Sequence, residues 1–480
     1  MKEKLRRLDD WRLELPAGSR PGMAVPAVIY ADAQIEGTLD DKVLEQAANT
    51  ACLPGIRRAA LVMPDAHAGY GFPIGGVAAF GLRDGVVSPG GVGYDINCGL
   101  RLLTTALSAD RVRAAGGAVA AALFAGVPAG VGSESSIRLS KADEKAVAEK
   151  GARWAVEHGM GDAGDLERCE SGGRLEGAEH GALTRRALER GRRQLGTLGS
   201  GNHFVEIQEV EEILDPSAAA AFGLAKGMAA VMVHSGSRGL GHQVCADSID
   251  EMLAAARRYG IALPDRELAC APCSSPEAER YLAAMRAAAN YAWANRQALG
   301  WSAGEAIAAA LKLSPRELGL SLVYDVAHNI AKVEEHAAPG GRAEKLMVHR
   351  KGATRAFPPG HPEVPAEYRT AGQPVIIPGD MGRPSFVLAG SGAMGETFGS
   401  VCHGAGRLMS RGEASRRARG RDITRELAAR GVSVMAAARG TLGEEMPEAY
   451  KDAGQVVRVV EGAGLARIVA RLRPLCVVKG

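Results

Sequence analysis

The residues of this chain that could do chemistry are concentrated in short glycine-rich segments. Asp95 and Cys98 lie three positions apart within the stretch Gly90–Gly99, so their side chains can turn toward one point. Glycine, asparagine or serine also adjoins three histidines in other parts of the chain, His203, His234 and His328. Carboxylate, thiolate and imidazole groups all bind metal ions directly. The pattern therefore predicts a metal-dependent reaction centre.

Two ligand sets can be formed from these five side chains. Asp95, Cys98 and His203 make one set, and Cys98, His234 and His328 make the other, with the Cys98 thiolate shared between two ions. Two ions about 3.5–4 Å apart can clamp the attacking and leaving oxygens of a phosphoryl transfer. Each histidine taken alone fits a structural role better, but the set favours ligation. Thiolate and imidazole favour zinc whereas carboxylate favours manganese, so the residues leave the metal open.

A further histidine is the candidate nucleophile. His403 follows Cys402 and precedes Gly404-Ala405-Gly406-Arg407. The small residues let backbone N–H groups approach a phosphate, and the arginine adds charge-assisted hydrogen bonds. A neutral imidazole can attack phosphorus and hold a phosphoryl or nucleotidyl group. Cys402 is the rival nucleophile, and a core or metal-binding role is the alternative for His403. The sequence contains no G-x-x-x-x-G-K-[ST] P-loop, so any nucleotide must be bound in another way.

Composition indicates a globular protein. The 480 residues are 46% hydrophobic and 24% charged, which is the balance of soluble domains. The start of the chain lacks the apolar core of a signal peptide, and the most apolar window, 116–132, is too short and too broken to span a bilayer. A cytoplasmic location without membrane contact is expected.

The eight cysteines would then be thiols or ligands, and Cys270 and Cys273, the single C-x-x-C, are interpreted as a plain loop pair.

The net charge of +3 is not the signature of a polyanion-binding protein, but arginines are clustered locally. One run spans residues 185–193, and a solvated helix face is the favoured interpretation for it. A second run spans residues 407–421 and begins just after His403. Its position favours a functional role.

Periodicity predicts one α+β domain over residues 1–480. Most predicted strands lead into or out of a candidate ligand, which would place the ligands at the ends of a rigid sheet. The Ala-rich segment 263–315 carries none of the His or Asp motifs and is predicted to be a helical insertion. The predicted strands are 57–63, 74–80, 100–105, 204–210, 229–233, 320–326, 374–377 and 386–388. The predicted helices are 40–52, 109–126, 139–158, 182–195, 240–258, 276–298 and 303–312.

Five motifs in order resemble the RtcB family of RNA ligases. They are Pro64–Gly76, Gly93–Gly99, Leu198–Phe204, His234–Gly239 and Cys402–Arg407. The resemblance runs from about residue 25 to the C-terminus. It implies a single large α+β domain whose mixed sheets carry a central metal and nucleotide pocket.

The resemblance also implies an activity. The family joins RNA ends that carry a 2′,3′-cyclic phosphate or 3′-phosphate to ends that carry a 5′-hydroxyl, in tRNA splicing or RNA repair, using GTP and manganese. By the family pattern, His403 is guanylylated, the GMP passes to the RNA 3′-phosphate, and the 5′-hydroxyl then expels it. Two Mn²⁺ ions would be held by Asp95, Cys98, His203, His234 and His328. An archease-like activating protein is a candidate partner.

A guanylate pocket is implied as well. Glu206 can accept from guanine N1–H and the 2-amino group, Tyr450 can pack on the base, and Lys479 can donate to O6. At Asp380 some relatives carry serine; because a carboxylate would repel phosphate, only the backbone is expected to bind there. Asp65 is assigned a supporting role. The implied guanylate-binding positions are Asn202, His203, Phe204, Val205, Glu206, His328, Asn329, Pro378, Gly379, Asp380, Met381, Ser385, His403, Gly404, Ala405, Gly406, Tyr450 and Lys479.

Contacts with RNA are expected to be directed mainly at phosphates, because aromatic residues make up only 4% of the chain, too few for a multi-base stacking platform. The candidates are Arg238, Lys351, Arg407 and Arg411.

Two other functions fit part of the pattern. A dinuclear metal-dependent cyclic phosphodiesterase would need the metal ligands but would give no role to His403. A non-catalytic RNA-binding protein would tolerate degraded ligand sets, whereas here every ligand position is filled.

Overall fold

The computed structural model describes residues 1–337, 341–392 and 394–480, which form the predicted mixture of helices and strands. The strands are β1 Arg6–Arg7, β2 Arg12–Leu15, β3 Ala27–Tyr30, β4 Ala60–His67, β5 Ile74–Gly81, β6 Val86–Val87, β7 Gly99–Ser108, β8 Phe204–Ile213, β9 Met228–Ser235, β10 Ala271–Pro272, β11 Ser321–Ala327, β12 Asn329–Ala337, β13 Ala343–Lys351, β14 Ala353–Arg355, β15 Pro374–Ile377, β16 Ser385–Gly390, β17 Ser400–Cys402, β18 Ser433–Ala436 and β19 Ala466–Lys479. The α-helices are α1 Ala33–Glu36, α2 Asp41–Thr50, α3 Ala109–Gly126, α4 Lys141–Lys150, α5 Ala152–Glu157, α6 Ala163–Glu167, α7 Arg185–Gly191, α8 Pro216–Ala221, α9 Arg238–Arg258, α10 Pro276–Leu311, α11 Pro315–Leu318, α12 Met394–Thr397, α13 Arg411–Arg417, α14 Ile423–Ala428, α15 Arg439–Glu444 and α16 Ala453–Gly462.

Two large sheets form the framework. The first has seven strands in the order β1-β2-β3-β4-β5-β13-β12. The second has eight, following the path β11-β7-β9-β8-β19-β16-β15 with β18 paired to β19. Pairing is antiparallel except between β3 and β4 and between β18 and β19, which are parallel. The mixed-sheet α+β fold is therefore confirmed.

The predicted elements differ from the observed ones mainly at their boundaries. Helix α3 has the predicted bounds, and α9 begins two residues before its prediction. The helix predicted over 139–158 is divided into α4 and α5 at Gly151, whose φ of 59° is left-handed and ends the first helix. The helices predicted over 276–298 and 303–312 form the single helix α10. The long strands β12, β13 and β19 were not predicted.

Helix α10 fills most of the segment that was predicted as a helical insertion. It is 36 residues long, and Trp293, Asn295 and Arg296 on it are fully buried. It packs against α3, α9 and β9. The helix therefore lies within the core, while the idea that the segment is an insertion stays a prediction. None of the helices in the described ranges is long and apolar enough to cross a membrane.

Arg296 of α10 ties together the chain segments that carry the predicted metal ligands. Its guanidinium donates to the carbonyl oxygens of Asn97 at 2.6 Å and Ser235 at 3.1 Å, and to Oδ1 of Asp325 at 2.8 Å. The side chains of Arg296 and of its three partners, Asn97, Ser235 and Asp325, are all fully buried. Because Asn97 and Ser235 adjoin two of the ligands directly, the arginine fixes the backbone on which the ligands stand.

Replacing Arg296 by methionine is expected to lower the free energy of unfolding by about 3–5 kcal/mol, because the buried Asp325 carboxylate loses its nearer charge partner and keeps only the Arg101 guanidinium, at 3.3 Å, among the described residues. A loss of this size is a large part of a typical domain stability. Urea unfolding followed by circular dichroism measures it. The double variant R296M/D325L removes both charges and is expected to recover part of the loss. A single variant within about 1 kcal/mol of the wild type would contradict the assignment.

Candidate metal and nucleotide site

A cavity of about 480 Å³ gathers the loops that were singled out in the sequence. Four of the five predicted metal ligands line it. The fifth, His203, is not part of the lining, but its Nε2 contacts Sγ of Cys98, which is. Val205, Ser385 and Arg238 lie outside the lining, as does Asp65. The predicted guanylate-binding residues that line the cavity are Asn202, Phe204, Glu206, His328, Asn329, Pro378, Gly379, Asp380, Met381, His403, Gly404, Ala405, Gly406, Tyr450 and Lys479.

Strand register brings the ligands together from distant parts of the sequence. Gly99 at the start of β7 pairs with Ser235 of β9 on one side and with Ala327 of β11 on the other. Phe204 at the start of β8 pairs with His234 of β9. Each paired residue is a predicted ligand or its chain neighbour. The second sheet therefore delivers Cys98, His203, His234 and His328 to one edge.

The ligand atoms lie in direct contact. Cys98 Sγ is 3.3 Å from Nε2 of His203 and 3.3 Å from Nε2 of His234. His203 Nε2 is 2.9 Å from Oδ2 of Asp95, and His234 Nε2 is 3.3 Å from Nε2 of His328. They form two triads, Asp95–Cys98–His203 and Cys98–His234–His328, and within each the ligand atoms lie within 4.8 Å of one another. Cys98 belongs to both, as in the two sets derived from the sequence.

The ring of His234 is held with Nε2 toward the other predicted ligands. Nδ1 of His234 is 3.2 Å from the carbonyl oxygen of Asn202, so Nδ1–H donates there and Nε2 is left to bind. Burial lowers the pKa of His234 and of His328 well below the usual value. Both rings are therefore neutral, which is the form that binds metal.

Cys98 and Asp95 supply the sulfur and oxygen donors of the first triad. Burial, with the Asp95 carboxylate nearby, raises the pKa of the Cys98 thiol well above its usual value. His203 and His328 present Nε2, and not Nδ1, to the other predicted ligands. A metal ion would stabilise the thiolate and use the imidazoles. The donor set therefore fits one ion per triad, although the presence of metal stays a prediction.

Asp65 holds His403 in a defined orientation. Its Oδ2 lies 2.6 Å from Nδ1 of His403 and accepts the backbone N–H groups of His403 at 2.9 Å and Gly404 at 3.2 Å. Burial alone would raise the pKa of Asp65, but the charge of His403 and its hydrogen bonds outweigh burial and keep the pKa below its usual value. In the neutral ring the proton is on Nδ1, where Asp65 accepts it, so the lone pair of the nucleophile is on Nε2. The His403 ring is 5.0 Å from the ring of His328, so it borders the second triad.

Two further contacts hold the Asp65 and His403 loops together. Gly406 has a φ of +72°, and a Cβ there would lie 1.9 Å from the carbonyl oxygen of Asp65, so only glycine fits. Lys451 donates from Nζ to the carbonyl oxygens of Pro64 at 3.1 Å and Ala66 at 2.8 Å. Burial lowers the pKa of Lys451 to about 8. No sequence pattern marks this lysine, because its role depends on contacts with residues far away in the chain.

Glu206 and Lys479 stand on adjacent strands of the second sheet, β8 and β19. Burial raises the pKa of Glu206 to about 7, although the Lys479 charge works in the opposite direction. Gln208 donates to the Glu206 carboxylate at 2.6 Å. Burial likewise lowers the pKa of Lys479, whose ammonium lies 5.4 Å from the centre of the Phe204 ring. A buried acceptor and a buried donor beside an aromatic ring form a cradle for a polar planar ring.

The Asp380 carboxylate is engaged within its own turn. It accepts the backbone N–H groups of Gly382 at 2.9 Å and Arg383 at 3.0 Å and pairs with the Arg383 guanidinium. Gly379 donates from its backbone to Ser385 Oγ at 3.1 Å, which shapes the same turn from the other side. The carboxylate therefore has partners without a nucleotide, in keeping with the expectation that the backbone binds at this position.

Arg407 lies against the wall of the cavity with a partner of its own. It donates to Oε1 of Glu445 at 3.0 Å and to the carbonyl oxygen of Glu444 at 2.7 Å, and it lies 5.0 Å from the centre of the Tyr450 ring. Glu445 is fully buried. Its carboxylate offsets the charge that was predicted to face RNA. No sequence pattern marks Glu445, because its role depends on a contact across 38 residues.

The other three predicted RNA contacts differ in their access to a ligand. Arg411 lines the cavity and its side chain is 61% exposed, so it is available at the mouth. Lys351 also lines the cavity, but its ammonium donates to the carbonyl oxygens of Tyr70 and Gly90, and burial lowers its pKa to about 8. Arg238 donates to Thr197 Oγ1 at 3.0 Å outside the lining. Arg411 is therefore the best placed of the set.

Comparison with known proteins agrees with this arrangement. A sequence model of the family described as tRNA-splicing ligase RtcB matches residues 46–480. The tRNA-splicing ligase RtcB of Archaeoglobus fulgidus is 53% identical over 477 residues, and that of Thermococcus kodakarensis is 52% identical over 478 residues, each alignment covering 99% of both chains. The RNA-splicing ligase RtcB of Mycobacterium tuberculosis is 51% identical over 438 residues, 91% of this chain and all of its own length. The resemblance drawn from the five motifs is confirmed, and this chain belongs to the tRNA-splicing ligase RtcB family.

Proposed function

We propose that this protein is a cytoplasmic GTP-dependent RNA ligase. Its substrates are RNA ends with a 3′-phosphate or 2′,3′-cyclic phosphate and RNA ends with a 5′-hydroxyl, in tRNA splicing or RNA repair, and an archease-like protein is a candidate activator. One observation carries the proposal. His403, fixed through Nδ1 by Asp65, borders the second of the two ligand triads in a cavity that also holds Glu206 and Lys479. Family membership supports the same class of reaction.

The first step is transfer of GMP to the protein. Nε2 of His403 attacks the α-phosphorus of GTP, a P–N bond forms, and pyrophosphate leaves with the electron pair of the broken P–O bond. The ring gains positive charge, which the Asp65 carboxylate at 2.6 Å stabilises. The guanine would lie between Glu206 and Lys479, where the carboxylate accepts and the ammonium donates.

The second and third steps return the histidine to its starting state. An oxygen of the RNA 3′-phosphate attacks the same phosphorus and the P–N bond breaks, so His403 leaves as a neutral ring. The 5′-hydroxyl then attacks the RNA phosphate, its proton passes to water, and GMP departs as the new phosphodiester forms. A cyclic phosphate is first opened by water to a 3′-phosphate.

The ligand triads would hold two Mn²⁺ ions for these steps. Bound metal neutralises phosphate charge and activates oxygen nucleophiles. Asp95 and His203 would serve one ion, His234 and His328 the other, and the Cys98 thiolate both. Manganese is proposed over zinc on the strength of the family resemblance, because thiolate and imidazole by themselves would favour zinc.

Labelling with GTP that carries radiolabel on its α-phosphate, in the presence of Mn²⁺, tests the proposal. We expect an adduct that acid cleaves and alkali does not, as a P–N bond predicts. His403→Ala should give no adduct, whereas Cys402→Ala, which removes the rival nucleophile beside it, should keep the adduct. A wild-type protein that opens cyclic phosphates without becoming labelled would instead indicate the phosphodiesterase.

Affinity for the guanine base is expected to fall about tenfold between pH 8 and pH 6. Only the ionised form of Glu206 can accept two hydrogen bonds from the base, and burial raises its pKa to about 7. The ionised fraction therefore rises as pH rises through 7, and affinity rises with it. Calorimetric titration with guanosine measures this, because guanosine carries no phosphate that titrates in the range.

Glu206→Gln provides the matched control for this pH dependence. The amide keeps the shape of the side chain but has no proton to lose, so its guanosine affinity is expected to be lower and nearly constant from pH 6 to pH 8. Equal pH dependence in the variant and the wild type would show that another group is responsible.

A further inference from the structure

Three aromatic side chains form a shelf at the cavity that the proposed reaction does not use. Tyr70 and Tyr94 both line the cavity and are half-buried, and their ring centroids are 5.4 Å apart with the planes at 63°. His242 is exposed and packs on Tyr94 at 4.8 Å with an angle of 31°. We call Tyr70, Tyr94 and His242 the aromatic shelf. It shares no residue with the proposed guanylate pocket.

The shelf is held beside the metal ligands. Tyr94 directly precedes Asp95 in the sequence, and both residues line the cavity. Lys351 donates to the carbonyl oxygens of Tyr70 and Gly90, which joins the turn that carries one tyrosine to the segment that carries the other. Burial raises the pKa of Tyr70 to about 12, so the phenol is neutral and does not repel a phosphate.

A cation adjoins the shelf on its outer side. The Arg190 guanidinium lies 3.4 Å from Nδ1 of His242 and donates to Oε1 of Gln243 at 3.0 Å. It belongs to the first arginine run of the sequence, which was interpreted as a solvated helix face. The two tyrosine rings line the cavity, and the guanidinium lies beyond them against His242. Aromatic rings with a cation nearby are the elements of single-stranded nucleic acid binding, because bases stack on aromatic side chains and phosphates pair with the cation.

We propose that the aromatic shelf binds the nucleobase of the terminal nucleotide of an RNA end, while its phosphate or hydroxyl lies at the triads. The proposal rests on the proposed function. Stacking uses the face that all four bases share, so the shelf would position an end without selecting its sequence. A single base is within the capacity of this chain, whose few aromatic residues exclude a longer platform. The base could belong to the 3′-phosphate end or to the 5′-hydroxyl end.

Ligation of RNA whose terminal nucleotide lacks a base tests the shelf and distinguishes the two ends. One substrate pair has the abasic nucleotide at the 3′-phosphate end and another has it at the 5′-hydroxyl end. For the end that the shelf binds, kcat/KM of the wild type is expected to fall about 5–150-fold, the range for loss of one stacked base. Tyr94→Ala should show a similar fall with ordinary RNA and little further fall with the abasic end. Tyr94→Phe should behave as wild type.

Tyr259→Ala is the matched control, because Tyr259 is an exposed tyrosine whose hydroxyl bonds only to Glu277 among the described residues. Equal wild-type kcat/KM for ordinary RNA and for both abasic pairs would overturn the shelf. So would a Tyr94→Ala loss that is the same for ordinary and abasic RNA, since that pattern indicates a structural role. Labelling with GTP needs no RNA, so a wild type that is never labelled would overturn the proposed function itself, and the shelf with it.

Discussion

Replacing Asp65 by asparagine is expected to slow formation of the GMP adduct on His403 by about 10²–10⁴-fold, while the protein remains folded. Asp65 Oδ2 accepts from Nδ1 of His403 at 2.6 Å and so holds the neutral ring in the tautomer that has its lone pair on Nε2. An amide can present its NH₂ group to Nδ1 instead, which would move the ring proton to Nε2 and remove the nucleophile. It would also lose the negative charge that stabilises the ring once GMP is attached.

Single-turnover labelling with GTP measures this rate directly, before any RNA step. Asp84→Asn is the control, because Asp84 forms a surface ion pair with Arg57 and lies outside the cavity. Thermal unfolding of both variants separates a change in rate from a change in fold. If Asp65→Asn were labelled within about threefold of the wild-type rate, orientation of His403 by Asp65 would not matter for the step.

The ligand positions could be predicted because their chemistry depends on short local patterns. Asp95 and Cys98 stand on one tight turn, and His203, His234 and His328 stand at or beside the ends of predicted strands. Strand ends are where a sheet presents side chains to a cavity, so residues that bind metal at these positions are expected to converge. Register then decides which ligands become neighbours, and the structure places the five atoms in two triads that share Cys98.

Other features depend on contacts that no local pattern records. Glu445 offsets the charge of Arg407, and Lys451 joins the carbonyl oxygens of two residues nearly 400 positions away. The gap predicted between residues 298 and 303 is helical in α10, and Gly300 within it lets the helix pack closely on β7, because a Cβ there would lie 3.1 Å from Arg101 Nε. Strand β19 was missed because its charged residues interrupt the apolar alternation that predicts strands. Tertiary packing overrides local preference at each of these places.

Replacing Cys98 by alanine is expected to remove both bound metal ions, whereas replacing Asp95 by alanine should remove only one. Cys98 Sγ contacts Nε2 of His203 in one triad and Nε2 of His234 in the other, so it is the single ligand that both triads contain. Loss of a direct ligand should weaken Mn²⁺ binding by more than about 100-fold, since loss of an outer partner alone costs about 10–100-fold. Adduct formation and ligation should then both fall below detection.

The number of ions is the decisive measurement, because it does not depend on activity. Bound Mn²⁺ counted by elemental analysis after dialysis, and by calorimetric titration, is expected to be two in the wild type, one in Asp95→Ala and none in Cys98→Ala. Cys476→Ala should keep two, because that thiol is also buried but packs in a hydrophobic cluster away from the triads, with a hydrogen bond to the carbonyl oxygen of Gly116. One ion retained by Cys98→Ala would mean that His234 and His328, or Asp95 and His203, bind metal without the shared sulfur, and the bridged dinuclear centre would be wrong.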